Sequence, residues 1–211
     1  MKASDILLRV TNVLQDAGYD YWEKAELLRW LSDFRLDAYK IRPDLYEKSE
    51  KVELVEGVEQ TLPNDSSFLF SVSHNTSSPR KRVVTLASSS VLDRVRPHWR
   101  SMAPMPEIQH YLHDQREPKT FEVSPPARAG VEVQISYAKP PAAITGDNDE
   151  LTEEGVYATA AVDYVLYRAF LKEADTVPAF HQRAMQHFAM AQAVLTGDIQ
   201  TKIAAGPQNQ G

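Results

Sequence analysis

The sequence predicts an α+β fold in which helices and short strands are segregated along the chain. Three observations carry that reading. Apolar residues recur at helical spacing towards both ends, and they alternate at strand spacing in the middle. Ten of the 13 prolines fall between Leu62 and Pro141, where no long helical period survives. Segregation of this kind, rather than strict strand–helix alternation, belongs to α+β proteins. The expected architecture is a four-helix bundle formed by the N- and C-terminal helix pairs, with an inserted antiparallel β region that is sandwich- or barrel-like. The expected boundaries are 1–45 and 150–196 for the bundle, 46–149 for the β lobe and 197–211 for a C-terminal arm.

Each element has its own warrant. Ser4 is placed to cap a helix over Asp5–Gln15, with Ile6, Leu7, Val10, Val13 and Leu14 on one stripe and Gly18 ending it. A second helix spans about Glu23–Ile41: Leu27, Leu28, Leu31, Phe34, Ala38 and Ile41 follow the i, i+3, i+4, i+7 template, Trp30 lies at the edge, and Pro43 stops it. In the middle, Val131, Val133, Ile135 and Tyr137 alternate with polar residues, as do Phe68, Phe70 and Val72 with Leu69 and Ser71. Thr120–Val123, Arg82–Leu86, Ile108–Leu112 and parts of Lys51–Leu62 are further strand candidates. Pro125 to Gly130 reads as the loop of a hairpin, and Ser89–Val95 as one short helix. Leu151–Leu195 reads as two long helices broken at Asp175–Pro178. Small Ala158, Ala160 and Ala161 admit close helix approach in the first, and Phe180, Ala184, Phe188, Ala191 and Leu195 stripe the second. Glu153 and Glu154 at the first helix's start and Lys172 near its end suit the helix dipole.

Composition narrows the function classes. With 43% hydrophobic and 25% charged residues the chain matches a soluble globular protein, and no apolar run approaches the roughly 20 residues of a membrane span. The first residues, MKASDILLRV, lack an uninterrupted signal core. Zero cysteines exclude disulfides, thiol catalysis and thiolate metal sites, and fit folding in a reducing cytoplasm. The net charge of −6 argues against general nucleic-acid binding, though a local basic patch remains open.

The candidate chemistry is sparse. His110 and His113 with Asp114 could form a metal site only if the segment were helical, because residues three apart on a strand face opposite sides. A metal-dependent hydrolase built on these three is therefore the third reading, and exposed polar residues on a strand the simpler one. His181 and His187 are six apart on a helix and read as helix surface. Gly146–Glu150 lacks the glycine and closing glutamate of a calcium loop and reads as a solvated loop, with Asp149 or Thr152 capping the next helix. Ser88–Ser90 has no nucleophile elbow around it, and the eight glycines form no phosphate loop. No catalytic residue, cofactor or metal is expected. Arg80, Lys81 and Arg82 form the one basic cluster, at a loop between strands, where it could meet a phosphate backbone or an acidic partner or simply keep the loop soluble. In the tail, Ile199 and Ile203 keep helical spacing around Lys202 before a Gly/Pro/Gln/Asn-rich end, which is either disordered or an arm that orders on another subunit.

Taken in order, several of these landmarks resemble the head-to-tail connector, or adaptor, proteins of tailed bacteriophages. They are the helix Ala25–Asp33 closed by Arg42-Pro43-Asp44, Thr61-Leu62-Pro63 leading into Phe68–Asn75, and Leu92-Asp93 with Arg96-Pro97 and Trp99. Tyr111 with Asp114, Pro118 to Pro126, Val133–Tyr137 and Asp163–Ala169 complete the set. The resemblance implies a non-enzymatic virion protein of the neck, made in the bacterial cytoplasm and forming a twelve-fold ring beneath the portal protein. It further implies that genomic DNA passes through the channel without sequence-specific binding, that the β region meets tail, nozzle or stopper proteins, and that a C-terminal arm bearing Ile199, Lys202 and Ile203 reaches the portal. Another neck ring, such as a stopper or tail terminator, is the close alternative. A DNA-binding accessory protein using Arg80, Lys81 and Arg82 is the more distant one.

Overall fold

The structure, a computed structural model, describes residues 1–151, 155 and 157–204, with 198–204 described by backbone alone. Among the described residues it is a mixed α+β chain with five α-helices and two sheets, and these sheets do not close into a barrel. The chain divides into two compact units: Met1–Tyr46 with Pro141–Gly211, and Glu47–Pro140.

The helical unit opens with α1 (Ala3–Leu14) and α2 (Lys24–Ile41). α1 starts two residues before the expected Asp5, and Ser4 lies inside it rather than capping it. The cause is a distant loop: the amides of Ala3 and Ser4 donate to the carbonyls of Asp149 and Asp147, at 2.9 and 3.1 Å, so the first turn needs no side-chain cap. Nor does Gly18 end the helix. Gln15 takes the left-handed conformation (φ 56°) one residue after Leu14. The turn that follows is organised by Asp16, whose carboxylate accepts the amides of Trp22, Asp20 and Tyr21. Those bonds, led by the one from Trp22, hold its carboxyl below the usual range against the opposing effect of burial. α2 buries the expected stripe of Leu27, Leu28, Leu31, Phe34 and Ala38, with Trp30 buried as well. Full burial of a side chain such as Leu31 or Phe34 contributes roughly 2 kcal/mol relative to exposure.

Two buried arginines were not legible from periodicity. Arg35 sends Nη1 to the carbonyl of Ala142 (2.9 Å) and lies over the Tyr46 ring. Arg42, 2% exposed, donates from Nε and Nη2 to the Asp44 carboxylate and from Nη1 to the Tyr157 hydroxyl at 3.0 Å.

The chain re-enters this unit at Pro141, where Ser32 pins it by exchanging hydrogen bonds with both the amide and the carbonyl of Ile144. Further along, α4 (Tyr157–Lys172) is buried almost all round, with Ala160, Ala161, Val165 and Ala169 at or near zero exposure. Small residues there admit α1, α2 and α5 (Pro178–Ala204) to one shared core. Pro178 opens α5 as its fixed φ favours. The expected first-turn charges Glu153 and Glu154 and the Thr152 cap lie outside the described residues. Among the described residues the Asp149 side chain caps no helix: its carboxylate accepts the amides of Thr145 and Gly146 and so closes its own loop.

Between the two halves of the helical unit run β1 (Glu47–Glu53), β2 (Gly57–Thr61), β3 (Phe68–Asn75), β4 (Thr85–Leu86), α3 (Ser89–Val95), β5 (His110–Leu112), β6 (Thr120–Ala127) and β7 (Glu132–Ala138). One sheet has the order β1-β7-β3, the other β2-β6-β5-β4. Pairing is antiparallel except between β4 and β5, which run parallel, so the wholly antiparallel expectation is corrected. The expected β6–β7 hairpin is absent too. The two strands are neighbours in sequence but lie in different sheets, and β6 runs on through Pro125 and Pro126. Those prolines offer no N–H, but the Pro126 carbonyl accepts the Met105 amide at 2.8 Å, so the strand's edge is still used. The segment 82–87 joins the sheets, bonding first to β3 (Val84 N to Ser73 O) and then to β5's side (Thr85 N to Gln109 O).

β7 buries the expected Val133, Ile135 and Tyr137, but Ser136 and Ala138 are buried as well, so the alternation lapses in its second half. β3 departs from it: Leu69 and Val72 are buried, whereas Phe68 and Phe70 are half-buried and meet edge to face at 5.0 Å. Two irregularities in its register with β7, at Leu69/Ser71 and Val72/His74, break the two-residue period.

Candidate functional site

The basic cluster sits on a loop that the fold holds firmly at its base. Asn75, fully buried at the end of β3, receives the Ile108 amide on Oδ1 (3.0 Å). Its Nδ2 donates to the carbonyls of Ile108 (2.9 Å) and Arg82 (3.0 Å). Its own backbone amide also reaches the Arg82 carbonyl at 2.9 Å, so one side chain clasps both stems of the loop. Beyond it, the amides of Thr76 and Ser77 converge on the Glu132 carbonyl, the Ser77 hydroxyl accepts the Glu132 amide, and the Ser78 hydroxyl donates to the Glu107 carboxylate. Lys81 adopts a left-handed conformation (φ 44°) at the tip, its amide returning to the Ser78 carbonyl.

Arg80, Lys81 and Arg82 are all exposed, as expected for a loop tip. The structure adds a fourth cation that sequence proximity could not supply. Exposed Arg128 stands at this same end of the strands, because its amide bonds to the carbonyl of Met105 and Met105 pairs in turn with Pro126. Among the described residues none of the four takes part in an ion pair. Val83, 65% exposed, flanks the loop.

At the other end of β6 lies an open cleft of about 1070 Å³. Its floor is Leu112 and Phe121, and its walls carry Glu59, Asp114, Glu117 and Glu122. Arg100 also faces it, but this guanidinium is committed. It forks onto Glu122 (3.1 Å to each oxygen), reaches Asp93 at 2.8 Å and stacks on Trp99, whose indole N–H holds Asp93 at 2.9 Å. The Trp99 and Arg100 bonds together keep the Asp93 carboxyl below its ordinary value.

The histidines do not converge. His110 Nδ1 lies 2.8 Å from the Thr85 hydroxyl, and His113 Nδ1 lies 3.0 Å from the Thr120 carbonyl. Among the described residues no group of three His, Cys, Asp or Glu side chains could hold a metal ion. His187 is not mere helix surface: its Nδ1 meets Asp163 at 2.8 Å and its ring stacks on Phe170. α5 continues nine residues beyond the expected end at Leu195, and its helical backbone includes Ile199, Lys202 and Ile203. The side chains of those three lie outside the described residues, as does the whole of 205–211.

An exposed basic loop without an ion pair among the described residues, an acid-walled cleft and a long terminal helix are surfaces open to other macromolecules. The chain belongs to the SU10 adaptor protein family, whose model matches residues 1–211. This is a family of phage adaptors, and membership implies a structural component of the virion that contacts other virion proteins such as the portal or tail. No curated protein matches the chain. Among the described residues, no helix is long and apolar enough to cross a membrane.

Proposed function

We propose that the protein is the head-to-tail adaptor of the virion neck. Twelve copies form a ring beneath the portal, join it to the tail and leave a central passage for DNA. The observation that carries this reading is the family match along the whole chain. The helical unit and the segment 197–211 serve the portal side, with Ile199, Lys202 and Ile203 as contact residues, and the β lobe serves the tail side. The continuous α5 backbone through Ala204 supports a helical start to that arm. The net charge of −6 suits a channel that passes DNA without holding it, since phosphate attraction dominates sequence-independent binding.

Native mass spectrometry of the chain with and without its portal tests the proposal. Entry into a ring on the portal is expected, and failure to enter any complex refutes it. A chain cut after Leu195 should keep its circular dichroism and lose portal docking. Retained docking would favour a different neck ring, such as a stopper or tail terminator.

The exposed cations of this loop motivate a second reading, a DNA-binding accessory role for Arg80, Lys81 and Arg82. It expects duplex affinity that falls steeply with salt and disappears when the three become alanine. A flat salt response removes it.

A further inference from the structure

The β unit is neutral as a whole, with 12 Lys/Arg and 12 Asp/Glu between Glu47 and Pro140, and it carries an exposed basic loop and an acid-walled cleft. Arg80, Lys81 and Arg82 stand on the loop, with Arg128 just past the end of β6 at Ala127. The acid-walled cleft lies where β6 begins, at Thr120. We infer that the basic loop of one copy docks in the cleft of a second copy, making a head-to-tail contact between β units.

Three arguments support this occupant. The first is charge. Four carboxylates line the cleft against two cations, and because Arg100 is paired with Glu122, Glu59, Asp114 and Glu117 remain against Arg116. Glu59 is exposed and takes part in no ion pair among the described residues. The second is shape. A cleft of about 1070 Å³ is at the upper end of the range for ligand pockets and suits a tight loop whose base is fixed by Asn75, so little ordering is left to do on binding. The third is topology. The extended segment from Arg82 at the loop stem to Leu86 in the cleft wall, about 13 Å long and held by the Val84–Ser73 and Thr85–Gln109 bonds, keeps the loop from folding back into the cleft of its own chain. A contact between two different patches is heterologous, and it repeats from copy to copy until it closes into a ring.

A nucleic acid fits the loop less well. Glu107 and Glu132 stand within its hydrogen-bond frame and Val83 is exposed beside it, which suits a protein surface better than a phosphate backbone.

This inference rests on the ring reading, and its test separates the two. The chain has no cysteine, so each one introduced is the only thiol present. Full-length Lys81→Cys and Glu117→Cys chains are mixed with added oxidant, alone and on the portal, and separated on a non-reducing gel. A cross-linked dimer is expected from the mixture and from neither chain alone. A chain carrying both substitutions should give a ladder. Reversing Arg80 and Arg82 to glutamate should abolish the cross-link, and pairing Lys81→Cys with Lys51→Cys, on the exposed face of β1, should give none. Rings seen by native mass spectrometry without the Lys81–Glu117 cross-link would overturn the docking and leave the ring. Equal cross-linking of the Lys51 control would overturn it too, as would loss of duplex binding on reversal with no cross-link. No ring in any condition would overturn both.

Discussion

Replacing Asn75 with alanine should destabilise the β unit by about 3 kcal/mol, and the structure supplies the terms. Three side-chain hydrogen bonds disappear, each contributing on the order of 1 kcal/mol net. One of them, from the Ile108 amide, leaves a buried donor with no partner, which adds about 1 to 3 kcal/mol. Relaxation of the loop towards solvent returns part of this total. The measurement is urea unfolding in a background where Trp22 and Trp30 are phenylalanine, so that Trp99 alone reports on the β unit. Asn75→Asp sharpens the reasoning. Oδ1 can still accept from Ile108, but the other oxygen now faces the carbonyls of Ile108 and Arg82, two acceptors, in a fully buried site. Burial and those acceptors raise the folded-state pKa of the new carboxyl, so the variant loses stability as pH rises through that value. Its deficit against the natural chain should therefore narrow as pH falls from 7 towards 5. An alanine cost below about 0.5 kcal/mol, the range of ordinary surface changes, would refute the clasp.

Four further outcomes are expected. Arg42→Met should cost about 2 kcal/mol by thermal or urea unfolding. Its guanidinium is buried against Tyr157, while Asp44 is partly exposed and can rehydrate. Ala161→Leu, at a position with no exposure on the face α4 turns to its neighbours, should cost roughly 1 to 3 kcal/mol through overpacking, visible as a lower melting temperature. Lys139, followed by the Tyr137 hydroxyl, holds the Asp65 carboxyl down to about 2, so its contribution is complete above the ordinary aspartate range and is lost as pH falls towards 2. Burial and then Glu50 push the Tyr137 phenol up to about 12, so its share is complete below pH 10 and is lost as pH rises through 12. Asp65→Asn should flatten the acid limb of stability against pH and Tyr137→Phe the alkaline limb; unchanged limbs would refute the assignments.

The parts of the fold that were legible in the sequence are those where one period runs undisturbed against one face. α2 and the stripe Phe180, Ala184, Phe188, Ala191, Leu195 of α5 are such cases, and so is the first half of β7. Prediction failed wherever a partner distant in sequence decided the outcome. The start of α1 is set by carbonyls at 147 and 149, and the burial of Arg42 by Tyr157. Pro125 and Pro126 look like a loop until Met105 arrives to bond with the second of them. Phe68 and Phe70 miss the core because the register slips, and a slip leaves no mark in the pattern of residue types. The basic loop was visible as a run of three. That Arg128 is held at the end of β6 follows only from the bridge between residues 105 and 127, which no run of residue types announces.

The pairing of Glu47 with Ala138 has a consequence for how such a chain can change over generations. Partners across an antiparallel pair stand roughly 5 Å apart, so the chain leaves the β unit beside the point where it entered. To the helical frame, the 94 residues from Glu47 to Pro140 are closed by a gap that a tight turn could span. Insertions or deletions at the loops 76–82 and 113–117 can accumulate without altering that spacing. The surface shown to other proteins can therefore be rewritten in lineages whose helices stay the same.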